Sequence, residues 1–213
     1  MISRQLNKNR IEALTDGIYA IALTLAVLTI DISKIPITDG SSIIPALKTI
    51  LPQLMHYAIA FFVLASFWCA HHRQTETIKK VDNTYVWLNI LTLFFVALVP
   101  FTTDLIGDYG EYPPAVAVYA GNLFLIGSLN LMAIYYANSK GGLISGDIEK
   151  EYIEYFIAKS LVVPVICIII IIFAYTVSST GSTFLFLLIP AFHQIIKRVY
   201  KKRQSQLNSH NSG

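Results

Sequence analysis

The chain has 213 residues, of which 54% are hydrophobic and only 14% charged, with a formal charge of +3. That balance lies outside the range of ordinary soluble domains and points to lipid as the solvent. The apolar residues come in blocks of about twenty, the length a helix rising 1.5 Å per residue needs to cross roughly 30 Å of hydrocarbon. The small positive charge does not indicate a nucleic-acid partner, because its distribution along the chain has a simpler explanation in membrane topology. Cys69 and Cys167 both lie inside apolar runs, too isolated for a disulfide framework or a cysteine metal site. They read as small core residues.

Taken in chain order, the blocks predict an all-α, polytopic membrane protein with six transmembrane helices near 11–31, 44–70, 84–106, 113–137, 153–176 and 182–198. They form one domain over residues 1–213. The opening basic stretch and apolar run resemble a secretory signal, but Asp16 and the missing small-residue cleavage site argue for a retained helix. Turn signals at Pro36 and Asp39-Gly40, at Tyr109 to Pro114 and at Ser178 to Ser182 make the connections short. Only Asn138 to Lys150 is longer, and Asp147 there reads as the N-cap of the fifth span.

Basic residues are retained on the cytoplasmic side of short loops. Of the 16, Arg4, Lys8 and Arg10 precede the first span, Arg73, Lys79 and Lys80 follow the second, and Lys140, Lys150 and Lys159 surround the fourth connection. Lys197, Arg198, Lys201, Lys202 and Arg203 follow the sixth. Only Lys34 and Lys48 fall on the other side, which carries Asp31, Asp39, Asp104, Asp108 and Glu111. Both termini are therefore expected in the cytoplasm.

Asp16 inside the first span needs a polar partner or water, because a lone carboxylate in hydrocarbon is costly. At 100° per residue, Glu12, Thr15 and Asp16 point away from a stripe of Ile21, Leu25 and Leu28. On periodicity alone that stripe could face lipid or pack against other helices. In the second span, Trp68 and His71 share a face near the level of Asp16. A hydrogen-bonded cluster of Asp16, Trp68, His71 and, from the third span, Asn89 is sterically reasonable, and the alternative is an interfacial aromatic beside a solvated histidine. The adjacent His71 and His72 point about 100° apart and make a poor metal pair. Pro100 is placed to end or kink the third span. Asn89 and Asn130 are expected to bond across helices. No nucleophile, base and orienting group fall together, so an enzyme is not expected.

Arg10-x-x-x-Leu14-Thr15-Asp16 resembles the R-x-x-x-F-S-D signature in the first helix of the transmembrane protein 175 family of potassium channels, in its single-repeat prokaryotic form. Leucine and threonine replace the usual phenylalanine and serine. Trp68 with His71 and His72, and Asn89 with Pro100-Phe101-Thr102, extend the resemblance, and the six-span length covers essentially the whole chain. It implies a homotetramer in the cell membrane, with the first helix of each subunit lining a central pore for potassium ions and no cofactor. The constriction five residues after the motif aspartate falls on Ile21, with Leu25 and Leu28 as further apolar pore positions and Thr24 one turn beyond. Arg10, Thr15, Asp16, Trp68, His71 and Asn89 would form a structural cluster. Such a hydrophobic constriction would favour potassium over sodium only modestly, since the smaller cation sheds water at greater cost. The competing reading is an ion-coupled secondary transporter using the Asp and His residues, although paired repeats and broken helices are not evident.

Overall fold

A computed structural model of the chain describes residues 8–30, 43–140, 142–144 and 150–211. The elements are α1 (Lys8–Leu25), a 3-10 turn (Ala26–Thr29), α2 (Ile43–Glu76), α3 (Asn83–Ala97), α4 (Val99–Tyr109), α5 (Pro113–Ser139) and α6 (Lys150–Thr176). A short α7 (Ser179–Phe184) then leads through a second 3-10 turn (Leu185–Leu187) into α8 (Leu188–Asn211). Six helical stretches are long and apolar enough to cross a bilayer: 8–28, 50–76, 83–109, 113–139, 151–176 and 179–203. The fold is thus all-α with six membrane-capable helices, as the apolar blocks predict.

The ends of these stretches correct the sequence reading in physical detail. The second span runs six residues past 70 to Glu76, so His71 and His72 lie inside a helix. The third is two helices meeting at Leu98, with Pro100 in the first turn of α4, where its missing N–H costs nothing. The polar edge opened at that joint is met from α5, where Asn122 Nδ2 donates to the Phe95 carbonyl at 3.1 Å. The sixth begins at Ser179 because the Ser178 hydroxyl accepts from the Gly181 N–H at 3.1 Å and caps α7. The proposed cap at Asp147, and the loop residues Asp31, Lys34 and Asp39, lie outside the described residues, as does Arg4.

The helices share one core that includes Leu64 of α2, Val96 of α3, Val116 and Leu123 of α5 and Ile170 of α6, all fully buried. Cys167 is buried in it, while Cys69 is half-buried at its edge, and both thiols are free. In a membrane, where lipid tails are as apolar as leucine, close van der Waals contact has to hold helices together. Gly127 of α5 provides it: a Cβ there would lie 2.8 Å from Val163 Cβ and 2.9 Å from Pro164 Cδ of α6. At the basic end the connection is fastened by Asp82. Its carboxylate caps α3 by accepting from the Tyr85 N–H at 2.9 Å and also accepts from the Tyr136 hydroxyl at 2.5 Å. The Lys140 ammonium lies 3.9 Å away.

Candidate functional site

α1 has two unlike sides. Tyr19 and Ala22, with Ala26 in the turn above, are buried against α2 to α4. On the opposite side Ile21 is 58% exposed, Leu25 44% and Leu28 74%. Gly17, Ala20 and Thr24 on that side are exposed too, so no charged side chain interrupts it from Gly17 to Leu28. The Thr24 hydroxyl is turned onto its own helix, 3.0 Å from the Ala20 carbonyl and 2.9 Å from that of Ile21. Leu28 lies beyond the end of α1, in the 3-10 turn. Among the described residues this side is left largely uncovered.

The polar residues behind α1 form two pairs rather than one cluster. Trp68 Nε1 donates to Asp16 Oδ1 at 2.9 Å and ties α2 to α1 at an exposed position. One turn on, the Trp68 ring stacks on His72 at 5.5 Å and 18°, and His72 lies 3.6 Å from Glu76. Deeper in, His71 Nε2 and Asn89 Oδ1 are 2.7 Å apart, joining α2 to α3 with both residues buried. Thr75 Oγ1 lies 3.4 Å from His71 Nδ1, and the Tyr19 ring is tilted against His71 at 6.3 Å. Asp16 and His71 are thus held separately. Thr15 is buried, but its hydroxyl has no hydrogen-bond partner among the described residues. Arg10 is exposed on the free side of α1, away from both pairs. Asn130 takes part through its backbone carbonyl, which accepts from Gln74 Nε2 at 3.4 Å.

Among the described residues, no group of three or more His, Cys, Asp or Glu side chains is arranged to hold a metal ion. The burial of Lys159 against α8 is the feature that the sequence reading did not foresee. Lys159, counted there with the fourth connection, sits well inside α6 and is 5% exposed, with buried His193 of α8 beside it. Only its position six residues into the predicted span at 153–176 hinted at this.

The fold and these contacts define a six-helix membrane protein whose first helix is anchored by polar bonds on one side and bare and apolar on the other. Residues 10–100 match the family model described as endosomal/lysosomal potassium channel TMEM175. A potassium channel of Chryseobacterium is 35% identical over 120 residues, 56% of this chain and 59% of the relative. Another, of Chamaesiphon minutus, is 33% identical over 120 residues, 55% of this chain and 59% of the relative. The matched region thus spans little more than half the length of these relatives. The crystal structure of a lysosomal potassium-selective channel TMEM175 homolog from Chamaesiphon minutus superposes with a TM-score of 0.77, covering 89% of this chain and 97% of that one at 24% identity. The resemblance to the transmembrane protein 175 family is borne out, and the matching segment contains α1 from Arg10 onward, both polar pairs and the joint at Leu98.

Proposed function

We propose that this chain is a potassium channel in which four copies surround a central pore lined by α1, with its narrowest ring at Ile21. The observation that carries this reading is the bare side of α1. A charge-free face through Ile21, Leu25 and Leu28 is left open while the other side of the helix is buried and bonded. The naming of similar proteins as potassium channels supports the choice of ion. A transporter reading draws less support, because Asp16 and His71 are engaged separately with Trp68 and Asn89 rather than converging on one substrate site.

A ring of isoleucines passes an ion only when part of its water shell is shed, and this favours potassium over sodium modestly. Leu25 and Leu28 continue the apolar wall, and the Thr24 hydroxyl keeps lone pairs for water between them. The basic end, with Arg73, Lys79 and Lys197, faces the cytoplasm, and the exposed Asp104, Asp108 and Glu111 lie outside, where they concentrate cations. The protein resides in the cell membrane and acts as a conduit, without chemistry on its ion.

Ile21→Asn tests the barrier, because up to four amides around the axis would hydrate a passing ion. Reversal potentials under bi-ionic potassium and sodium should move toward equality, with smaller changes of the same sign for Leu25→Asn and Leu28→Asn. An Ile21→Asn channel that assembles normally and keeps the parent selectivity and conductance rules out Ile21 as the filter.

A further inference from the structure

Away from α1, an open-sided groove of about 240 Å³ lies between α2 and α8 with α6 at its back. Its basic end carries Arg73, Lys159, His193 and Lys197; its other end is apolar, with Phe62 and Pro190. Arg73, Lys159 and Lys197 are basic side chains close enough to repel one another when charged. Lys159 is 5% exposed, and no carboxylate among the described residues pairs with it. His193 is 7% exposed beside the Lys159 backbone, and among the described residues neither ring nitrogen has a partner at hydrogen-bond geometry. Arg73 lies beside the Tyr155 hydroxyl, a neutral group. An unpaired ammonium at this depth is costly, and intramembrane lysines elsewhere pair with an anion or carbonyls or face water. The missing element is a negative charge with several acceptor oxygens.

The shape says what brings it. Along α2, Arg73, Cys69, Ser66 and Phe62 follow one another at spacings of three or four, so they share a face that runs from charged to apolar over about 16 Å. Lys197, His193 and Pro190 of α8 run the same way on the facing wall. A soluble anion would use only the upper half of this groove. A molecule with a phosphate at one end and a hydrocarbon chain at the other uses all of it.

We infer that the groove between α2, α6 and α8 is a binding site for an anionic phospholipid, its phosphate held by Lys159, Lys197 and Arg73, with His193 beside them, and its chain lying along Phe62. The site does not depend on ion conduction and stands or falls apart from the channel reading. Basic pockets of this kind between transmembrane helices are suited to acidic headgroups.

The test uses the full chain in mild detergent. Thermal unfolding is followed as phosphatidylglycerol, phosphatidylcholine or inorganic phosphate is titrated in. Phosphatidylglycerol should raise the unfolding temperature, and neither of the others should do so at the same concentration. Lys159→Met and Lys197→Gln should each weaken the apparent affinity about fivefold, from the energy of one basic residue near acidic lipid. Lys159→Met should also be the more stable protein in lipid-free detergent, since it removes an unpaired charge. If Lys159→Met fails to fold, the half-exposed Lys197→Gln carries the same comparison. Equal protection by phosphatidylcholine would reduce the site to an apolar groove, and equal protection by phosphate to a free-anion site. Either result, or unchanged affinity in a folded variant, overturns the assignment.

Discussion

Replacing Gly127 by alanine adds one methyl group to the tightest approach between α5 and α6. The new Cβ would lie 2.8 Å from Val163 Cβ, whereas ordinary contacts begin at 3.4 Å, so α6 must retreat by about 0.6 Å. It cannot yield locally, because the next atom met is the ring Cδ of Pro164 at 2.9 Å, which has no rotamer to change. Overpacking of this kind costs about 1–3 kcal/mol. Gly121 on the same helix is the control: nothing lies within 4 Å of its Cβ position. There alanine should be neutral or slightly stabilising through helix propensity. Tryptophan fluorescence during thermal unfolding in detergent, with size-exclusion chromatography to follow assembly, reads both. Gly127→Ala should unfold several degrees below the parent and Gly121→Ala at or slightly above it. Indistinguishable midpoints for the two variants would refute the claim that contact at Gly127, rather than loss of a flexible residue, decides the outcome.

Asp16→Ala removes the acceptor for Trp68 at an exposed level of the helix, so a loss of about 0.6 kcal/mol is expected, the average for interhelical hydrogen bonds in a bilayer, and no more than about 1.7 kcal/mol. It should lower the yield of assembled protein more than it changes ion preference, and a well-assembled variant with collapsed selectivity would put Asp16 in the ion path. Asp82→Ala should cost about 0.5–2 kcal/mol through loss of the α3 cap. Partial burial pushes the Asp82 carboxyl up, but bonds from Tyr136 and the Tyr85 N–H, with Lys140 nearby, leave it below its ordinary value. Its charge-dependent contribution is therefore complete above about pH 3.9 and is lost as pH falls through the lower folded value. Unfolding midpoints of parent and variant across that range should converge only in acid; convergence already at pH 6 would contradict the assignment.

The span count was legible because a helix crossing hydrocarbon has to carry about twenty apolar residues, and nothing in the bilayer relaxes that demand. Asp16 and Trp68 were legible for a related reason: a polar group at membrane depth announces a partner. The sequence did not show how partners divide. Asp16, Trp68, His71 and Asn89 were compatible with one cluster by depth and face, yet the few ångströms separating Trp68 from His71 along α2 place one bond at the surface and the other inside. Lys159 fell inside the predicted span at 153–176 but was counted with the basic fourth connection, and its burial was missed because charge counting does not show which face of a helix a neighbour such as α8 covers. The free side of α1 was visible as periodicity, but periodicity does not distinguish a face covered by lipid from one covered by protein.

The 3-10 turn at Ala26–Thr29 has a metric consequence for that free side. From Ile21 to Leu25 the α-helix advances four residues, about 6 Å, and turns about 40°. Had the α-helix continued, Leu28 would stand about 4.5 Å beyond Leu25 and about 60° out of line. A 3-10 turn rises about 2.0 Å per residue and closes in three, which sets Leu28 about 6 Å on and directly above Leu25. The tightened winding therefore acts as a ruler: it spaces three aliphatic rungs evenly and aligns the last two, so that adding or deleting one residue between Leu25 and Leu28 would upset both pitch and alignment while leaving composition almost untouched.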